Sequence, residues 1–249
     1  MSKNKSYKIL KVRDKNDSYY TPVERLFDVP FRLLINGKSQ LSGKTTIILN
    51  LLLNPVFGYD KMFAGEDIYI ISNNKLDNKL AMMADKLDID ENNRVEFDED
   101  YLEILYEDIE DEFMEDTSEG RKPKNKLIIF DDCGYSGSLR SYNKGNIIDK
   151  MICNGRHLNL SQIYTSQRFS QCSTCLRTNL TGAIMFSTSM KELELIAEDF
   201  NYTESKKQFI KMFRDETKKP RSFMVINFSN KPEEMYMNTE FEPIKFKQV

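Results

Sequence analysis

The 249-residue chain predicts an α/β domain: a mostly parallel central sheet flanked by helices, with a C-terminal β extension. Three observations carry that reading. Short apolar runs alternate with segments of helical period, the pattern of βα units. No internal repeat breaks the alternation. The stretch SGKTT, between the first apolar run and the first helical one, has the residues of a phosphate-binding turn in the place such a turn requires.

The elements follow in order. PFRLLING is an apolar run ending in Asn-Gly, a buried strand entering a turn. TTIILNLLL is a strongly apolar helix, closed by Asn54-Pro55. Residues 66–74, EDIYIISNN, give a second buried strand, and LDNKLAMMADKL after them is helical in period. Residues 85–119 are dense in carboxylates; Tyr101, Leu102, Ile104, Leu105, Ile109 and Phe113 recur at helical spacing, which makes an amphipathic helix with a solvated acidic face. GRKPKNK is a loop leading into LIIFDDCGYSG, a strand that stops on two aspartates. NIIDKMICNGRHLN reads as a helix, SQIYTSQRF and GAIMFSTS as strands, and MKELELIAEDF as a helix. RSFMVINFSN and EEMYMNTEF finish as a strand pair.

With 40% hydrophobic and 30% charged residues, the chain has an ordinary globular profile, with length for one large domain over residues 21–249. Residues 1–20 carry Lys3, Lys5, Lys8, Lys11, Arg13 and Lys15 and read as a basic N-terminal arm. No run approaches the roughly 18 apolar residues of a spanning helix, and the N-terminus lacks the apolar core of a signal peptide. No membrane partner is expected, and the protein is expected to stay inside a cell or a particle assembled there. The net charge of −3 gives no general attraction to nucleic acid, so any such contact must come from a local basic surface. Residues 206–221, basic around Phe209 and Phe213, are a candidate, with a solvated helix and turn as the alternative. Cys133, Cys153, Cys172 and Cys175 are too few for a disulfide framework and read as reduced thiols. Cys172 and Cys175 form a CxxC without a second pair, and His157 is not spaced to complete a zinc site, so a local structural role is expected.

The chemistry centres on residues 37–46. In a phosphate loop, successive backbone N–H groups and a helix N-terminus surround the phosphates, while a lysine and a hydroxyl complete the site. Ser42, Gly43, Lys44, Thr45 and Thr46 fit these parts, with Lys44 on the β- and γ-phosphates and Thr45 on Mg²⁺. Five residues separate Gly37 from Gly43 where the usual pattern has four. Either the loop bulges by one residue, with Gly37 as the turn glycine, or Lys38 stands in the glycine position at positive φ; the bulged loop is the preferred reading. A loop of this kind needs an acid at a strand end to hold the metal, and Asp131 of LIIFDD supplies it. Asp132 can orient or activate the attacking water. Gln167 ends a strand that can lie between the loop strand and the Asp131 strand, where it can sense the γ-phosphate or position water. An arginine from a neighbouring subunit often completes such a site; Arg156 and Arg177 are the candidates, ahead of Arg140 and Arg168.

GKSQLSGKTT, LIIFDD, NGRHLNLSQIYTSQRF and CLRTN, in this order and at short spacing, resemble the FtsK–HerA superfamily of P-loop ATPases. Within it they are most similar to the genome-packaging ATPases of giant viruses, virophages and related elements, the poxvirus A32-like group. The resemblance covers residues 31–228. It implies a P-loop NTPase fold of the additional-strand (ASCE) type, a homo-oligomeric ring, pentamer or hexamer, and ATP-driven translocation of double-stranded DNA into a preformed capsid at its portal vertex. It also implies ATP and Mg²⁺ as cofactors and a place in the viral factory of the host cytoplasm and in the virion. Its loop lysine and hydroxyl fall on Lys44 and Thr45, its magnesium-linked acid on Asp131, its catalytic acid on Asp132 and its strand-end glutamine on Gln167. The chain departs from the pattern in its glycine spacing and in having Asp132 where much of the superfamily has glutamate. A HerA-like helicase or transposition ATPase is the first alternative; a nucleotide-binding assembly or scaffold protein with negligible turnover is the second.

Overall fold

Eight strands form one sheet through the protein, in a computed structural model that describes residues 20–38, 42–73, 78–133 and 146–246. The basic arm, apart from Tyr20, the loop residues 39–41 and Arg140 lie outside the described residues. The strands are β1 (Arg32–Asn36), β2 (Ile68–Ser72), β3 (Arg94–Val95), β4 (Lys126–Asp131), β5 (Leu160–Ser166), β6 (Gly182–Phe186), β7 (Phe223–Asn227) and β8 (Tyr236–Met237). The helices are α1 (Lys44–Leu53), α2 (Asn78–Lys86), α3 (Glu99–Ser118), α4 (Ile147–Asn154), α5 (Thr174–Asn179), α6 (Met190–Phe200) and α7 (Lys206–Glu216).

The sheet order is β3-β2-β4-β5-β1-β6-β7-β8. The strands from β3 through β6 are parallel, and β7 and β8 add to the β6 edge antiparallel, the C-terminal β extension read from the sequence. Every residue of β4, β5 and β6 is buried. Helices cover both faces of these strands, and that is why β4 and β6 read as apolar runs instead of alternating ones, while β5, LSQIYTS, buries Ser161, Gln162, Thr165 and Ser166 among them. On one face α3, α4, α6 and α7 pack through residues such as Leu105, Met151, Ile196 and Phe213. On the other, α1 and α2 pack through Ile48, Leu51, Leu80 and Met83, joined by Phe27, Phe31, Tyr59 and Phe63.

The alternation of strands and helices is as the sequence predicts, with three local differences. The acidic helix is confined to α3; it starts where the Asp98 side chain accepts a hydrogen bond from the Tyr101 N–H, 2.8 Å away. Its buried stripe is Leu102, Leu105, Tyr106, Ile109 and Phe113, while Ile104 is 60% exposed and belongs to the outer face. The two-residue edge strand β3 has no apolar run to announce it. The short helix α5, unread in the sequence, is capped by Ser173, whose Oγ accepts from the Leu176 N–H.

The chain leaves β1 through α1 and returns to the sheet beyond its neighbours, in β2. Then β4 and β5 fill the gap, so β5 comes to lie between β1 and β4. This places the C-terminal ends of β1, β5 and β4 side by side, the position where open α/β sheets bind ligands.

Candidate phosphate site

The loop after β1 is tied to the end of β5: the Gly37 N–H donates to the Ser166 carbonyl at 2.9 Å, and the Asn36 amide reaches the same oxygen. A side chain at Gly37 would put its Cβ 2.7 Å from the Ser42 Cβ and 2.9 Å from Phe186. Gly37 is therefore required by close approach. Its φ is not positive, so close approach and not a left-handed conformation is what calls for glycine here. Lys38 does not take the glycine position either, since positive φ among described non-glycine residues falls at Arg25, Asp88, Asp132, Asn159, Arg221 and Phe241. The residue that would bulge lies in 39–41, outside the described residues. The left-handed turn falls at Gly43, φ 90°, immediately before α1, where glycine avoids the Cβ clash.

Ser42 is buried, and its hydroxyl donates to the Lys38 carbonyl at 2.8 Å, closing the loop on itself. Lys44 opens α1, is 9% exposed, and donates from Nζ to the Gly37 carbonyl at 2.9 Å. Burial pulls its ammonium below the ordinary lysine range, partly opposed by the charges of Asp132 and Asp131. No side chain caps the helix N-terminus at Gly43 and no acid sits in its first turn, which leaves the first N–H groups and the positive end of the helix dipole to face an anion. Thr45 is half-buried in this turn, whereas Thr46 is exposed and accepts from Lys79 Nζ at 3.1 Å.

Asp131 ends β4 and is 5% exposed. Asp132 follows at φ 53°, in the left-handed region, which costs a non-glycine residue roughly 1–2 kcal/mol but is tolerated best by Asp and Asn. The turn points the Asp132 carboxylate at Gln167, whose Nε2 donates to both oxygens at 3.2 and 3.0 Å. Thr165 stands between the two acids: its hydroxyl donates to Asp131 Oδ1 and accepts from the Asp132 N–H, each at 2.8 Å. Burial, then the charges of Asp131 and Asp132, push the neighbouring Cys133 thiol up to about 12, so it stays protonated and inert.

The structure thus brings together Lys44, Asp131, Asp132 and Gln167. The two leading arginine candidates are not there. Arg156 lies in the turn before β5, at the opposite end of a seven-residue strand from Gln167 and hence roughly 20 Å away; its Nε donates to His157. Arg177 is committed inside the chain, paired with Asp199 at 2.5 Å and lying over the Phe169 ring at 5.2 Å. Arg168, ranked lower in the sequence, is exposed and lines a cleft of about 500 Å³ with Lys38, Gln167, Lys191 and Glu192. Thr165 and Arg168 are the residues sequence reasoning missed or undervalued. Thr165 lies at the end of β5, two residues before Gln167, but its place beside Asp131 follows only from the β4–β5 register.

Two further features of the sequence are placed by the structure. Cys172 is buried, its thiol pushed up to about 12 by burial, and the spatial neighbour of Cys175 is Cys153, with Sγ atoms 3.6 Å apart, so the CxxC cysteines do not face each other as a pair. Phe209 and Phe213 of α7 are core residues, so the candidate surface at 206–221 presents charge without aromatic faces.

The genome packaging NTPase B204 from Sulfolobus turreted icosahedral virus 2, solved with ATP-gammaS, superposes on this fold with a TM-score of 0.53 at 18% identity, over 79% of this chain and 91% of that one. B204 from Sulfolobus turreted icosahedral virus, described as a DNA-packaging ATPase, gives 0.52 at 17% identity over 80% and 93%. ATPases 2 and 3 of EssC from Geobacillus thermodenitrificans give 0.56 at 16% identity, over 80% of this chain and 38% of that one. These likenesses show a shared P-loop NTPase fold. No curated protein matches the chain significantly. The model of the Poxvirus A32 protein family matches residues 21–241.

Proposed function

The chain belongs to the Poxvirus A32 protein family, and from that premise we propose that it is an ATPase that drives double-stranded viral DNA into a preformed capsid. The observation that carries the reading is the convergence of Lys44, Asp131, Asp132 and Gln167 at the ends of β1, β4 and β5. The B204 proteins, named as packaging enzymes, support it by sharing the fold.

ATP would lie with its phosphates on the N-terminus of α1. There Lys44 exchanges the Gly37 carbonyl for the β- and γ-phosphates, a stronger acceptor for its ammonium. Thr45 and Asp131 offer the hard oxygen donors that suit magnesium, and they would hold it. Once held there, magnesium would supply charge neutralisation for the phosphates and leaving group. Asp132 accepts a proton from, or orients, the attacking water, and the Gln167 amide fixes the Asp132 carboxylate in place. A cation from outside the protomer would finish charge stabilisation, as an arginine finger does in other phosphoryl-transfer enzymes. Arg156 is the candidate for delivery in trans, since it is exposed and far from its own site. Arg168 is the cation best placed beside the site within one protomer. DNA would be gripped chiefly through its phosphates, with weak sequence preference, by a homo-oligomeric ring docked on the capsid in the host cytoplasm.

Steady-state ATP hydrolysis, measured with and without double-stranded DNA and beside Lys44→Ala, tests the proposal. Turnover stimulated by DNA and abolished in the variant is expected. ATP binding without turnover under either condition would replace the motor with a nucleotide-dependent scaffold.

A further inference from the structure

We propose that Thr165 is a positioning residue for both acids of the site, and that its hydroxyl holds Asp132 in the left-handed conformation from which the carboxylate meets Gln167. The inference rests on the ATPase reading above but is carried by a separate observation. Thr165 is completely buried, and its hydroxyl both donates and accepts. A carboxylate oxygen cannot donate, so the Thr165 proton must go to Asp131 Oδ1, and the oxygen lone pairs are left to receive the Asp132 N–H. One side chain therefore fixes the side chain of the first acid and the backbone of the second.

Asp131 and Asp132 are consecutive, and a strand continuing through both would send their side chains to opposite faces of the sheet. The left-handed turn at Asp132, φ 53°, breaks that alternation. The hydrogen bond from the Asp132 N–H to β5 holds the turn, and it is a side-chain substitute for the next rung of the β4–β5 ladder, whose paired residues end at Phe130 and Tyr164. Gln167, two residues beyond Thr165 and just past the end of β5, then meets the Asp132 carboxylate. The spacing T-x-Q at the end of β5 is thus matched to the spacing DD at the end of β4. Thr165 acts through the acids, by its hydrogen bonds to Asp131 and Asp132.

Thr165→Val keeps the shape and removes both hydrogen bonds; Thr165→Ser keeps the hydroxyl and removes the methyl. In the valine variant, kcat for ATP is expected to fall about 10–100-fold, the usual consequence of removing a partner that orients a metal-site ligand, while KM for ATP stays within about threefold because Lys44 and its loop are untouched. The serine variant is expected to recover most of the activity. Equal losses in Val and Ser, or a rise in KM alone, would reject positioning in favour of packing or binding. Melting curves identify a valine variant that fails to fold, in which case Thr165→Ala carries the same comparison. A readout independent of turnover is the crystal structure of the valine or alanine variant: the Asp132 φ should leave the left-handed region and the hydrogen bonds from Gln167 should be broken. Retention of both features overturns the inference. If the native protein proves not to hydrolyse ATP, the ATPase reading fails at that point and the variant structure still decides the role of Thr165.

Discussion

At Lys44 two demands conflict. A buried ammonium is poorly solvated, and its pKa is lowered from the ordinary lysine value first by that burial. The unfolded chain holds the proton more tightly, so a charged Lys44 costs stability at neutral pH, and the cost is relieved as pH rises through the lowered pKa toward the unfolded one. The single hydrogen bond to the Gly37 carbonyl offsets only part of it. Lys44→Met, similar in volume and uncharged, is therefore expected to melt no lower than the native protein while losing ATP hydrolysis. Differential scanning calorimetry beside an activity assay checks this, and a clear drop in Tm would show that the lysine supports the fold as well. Asp132 shows the same compromise in the backbone, since its left-handed turn serves the pairing with Gln167 at some conformational cost.

Among the secondary-structure elements, charge is used in two distinct ways. At the start of β4, Lys126 is 5% exposed and reaches Asp67, just before β2, at 2.8 Å and Glu112 of α3 at 2.6 Å. Those hydrogen bonds outweigh burial and hold its pKa above the ordinary lysine value, so the stability it contributes is complete below the unfolded pKa and fades as pH rises through the folded one. Lys126→Ala leaves Asp67 buried and unpaired, and a loss of roughly 3–5 kcal/mol is expected, measurable by urea unfolding. Asp67→Asn with Lys126→Met together should cost much less, because no charge is then stranded. In α7 the arrangement is the reverse. Phe209, Met212 and Phe213 are buried, while Lys207, Lys211 and Arg214 project outward and need no partner from the fold.

Across the whole molecule, the basic face of α7 continues into Lys218, Lys219 and Arg221, which line a cleft of about 340 Å³ with Lys38 and Ser42 of the phosphate loop. We propose that this surface, which joins the loop to a row of cations, is where DNA phosphates would be held, although the net charge of the chain is −3. Lys211→Glu with Lys218→Glu is expected to reduce DNA-stimulated turnover while leaving DNA-free turnover and the melting temperature unchanged. The slope of log affinity against log salt should become shallower by about 0.7–0.9 for each DNA phosphate that the variant no longer neutralises. An unchanged slope would move the DNA path to another surface. Elsewhere on the same side of the sheet the character changes: the outward side of α3 carries Glu103, Glu107, Glu110 and Asp111, so charge is segregated although the composition is balanced.

Most of the local elements, and the kinds of residue gathered in the candidate site, are legible in the chain itself. Apolar runs without alternation are what a parallel sheet buried on both faces requires, and SGKTT, LIIFDD and a glutamine at a strand end name the kinds of group a phosphate site needs. Those are properties of neighbours in the chain, and periodicity and residue type report them. Adjacency in space is another matter. That β5 enters between β1 and β4, that Thr165 falls beside both acids, that Arg177 is consumed by Asp199 and that Cys175 meets Cys153 instead of Cys172 were decided only by the tertiary structure. The physical reason is that strand order and register are set by how two faces of a sheet are covered together. A threonine on a strand carries no mark of which aspartate it will meet until that packing is complete.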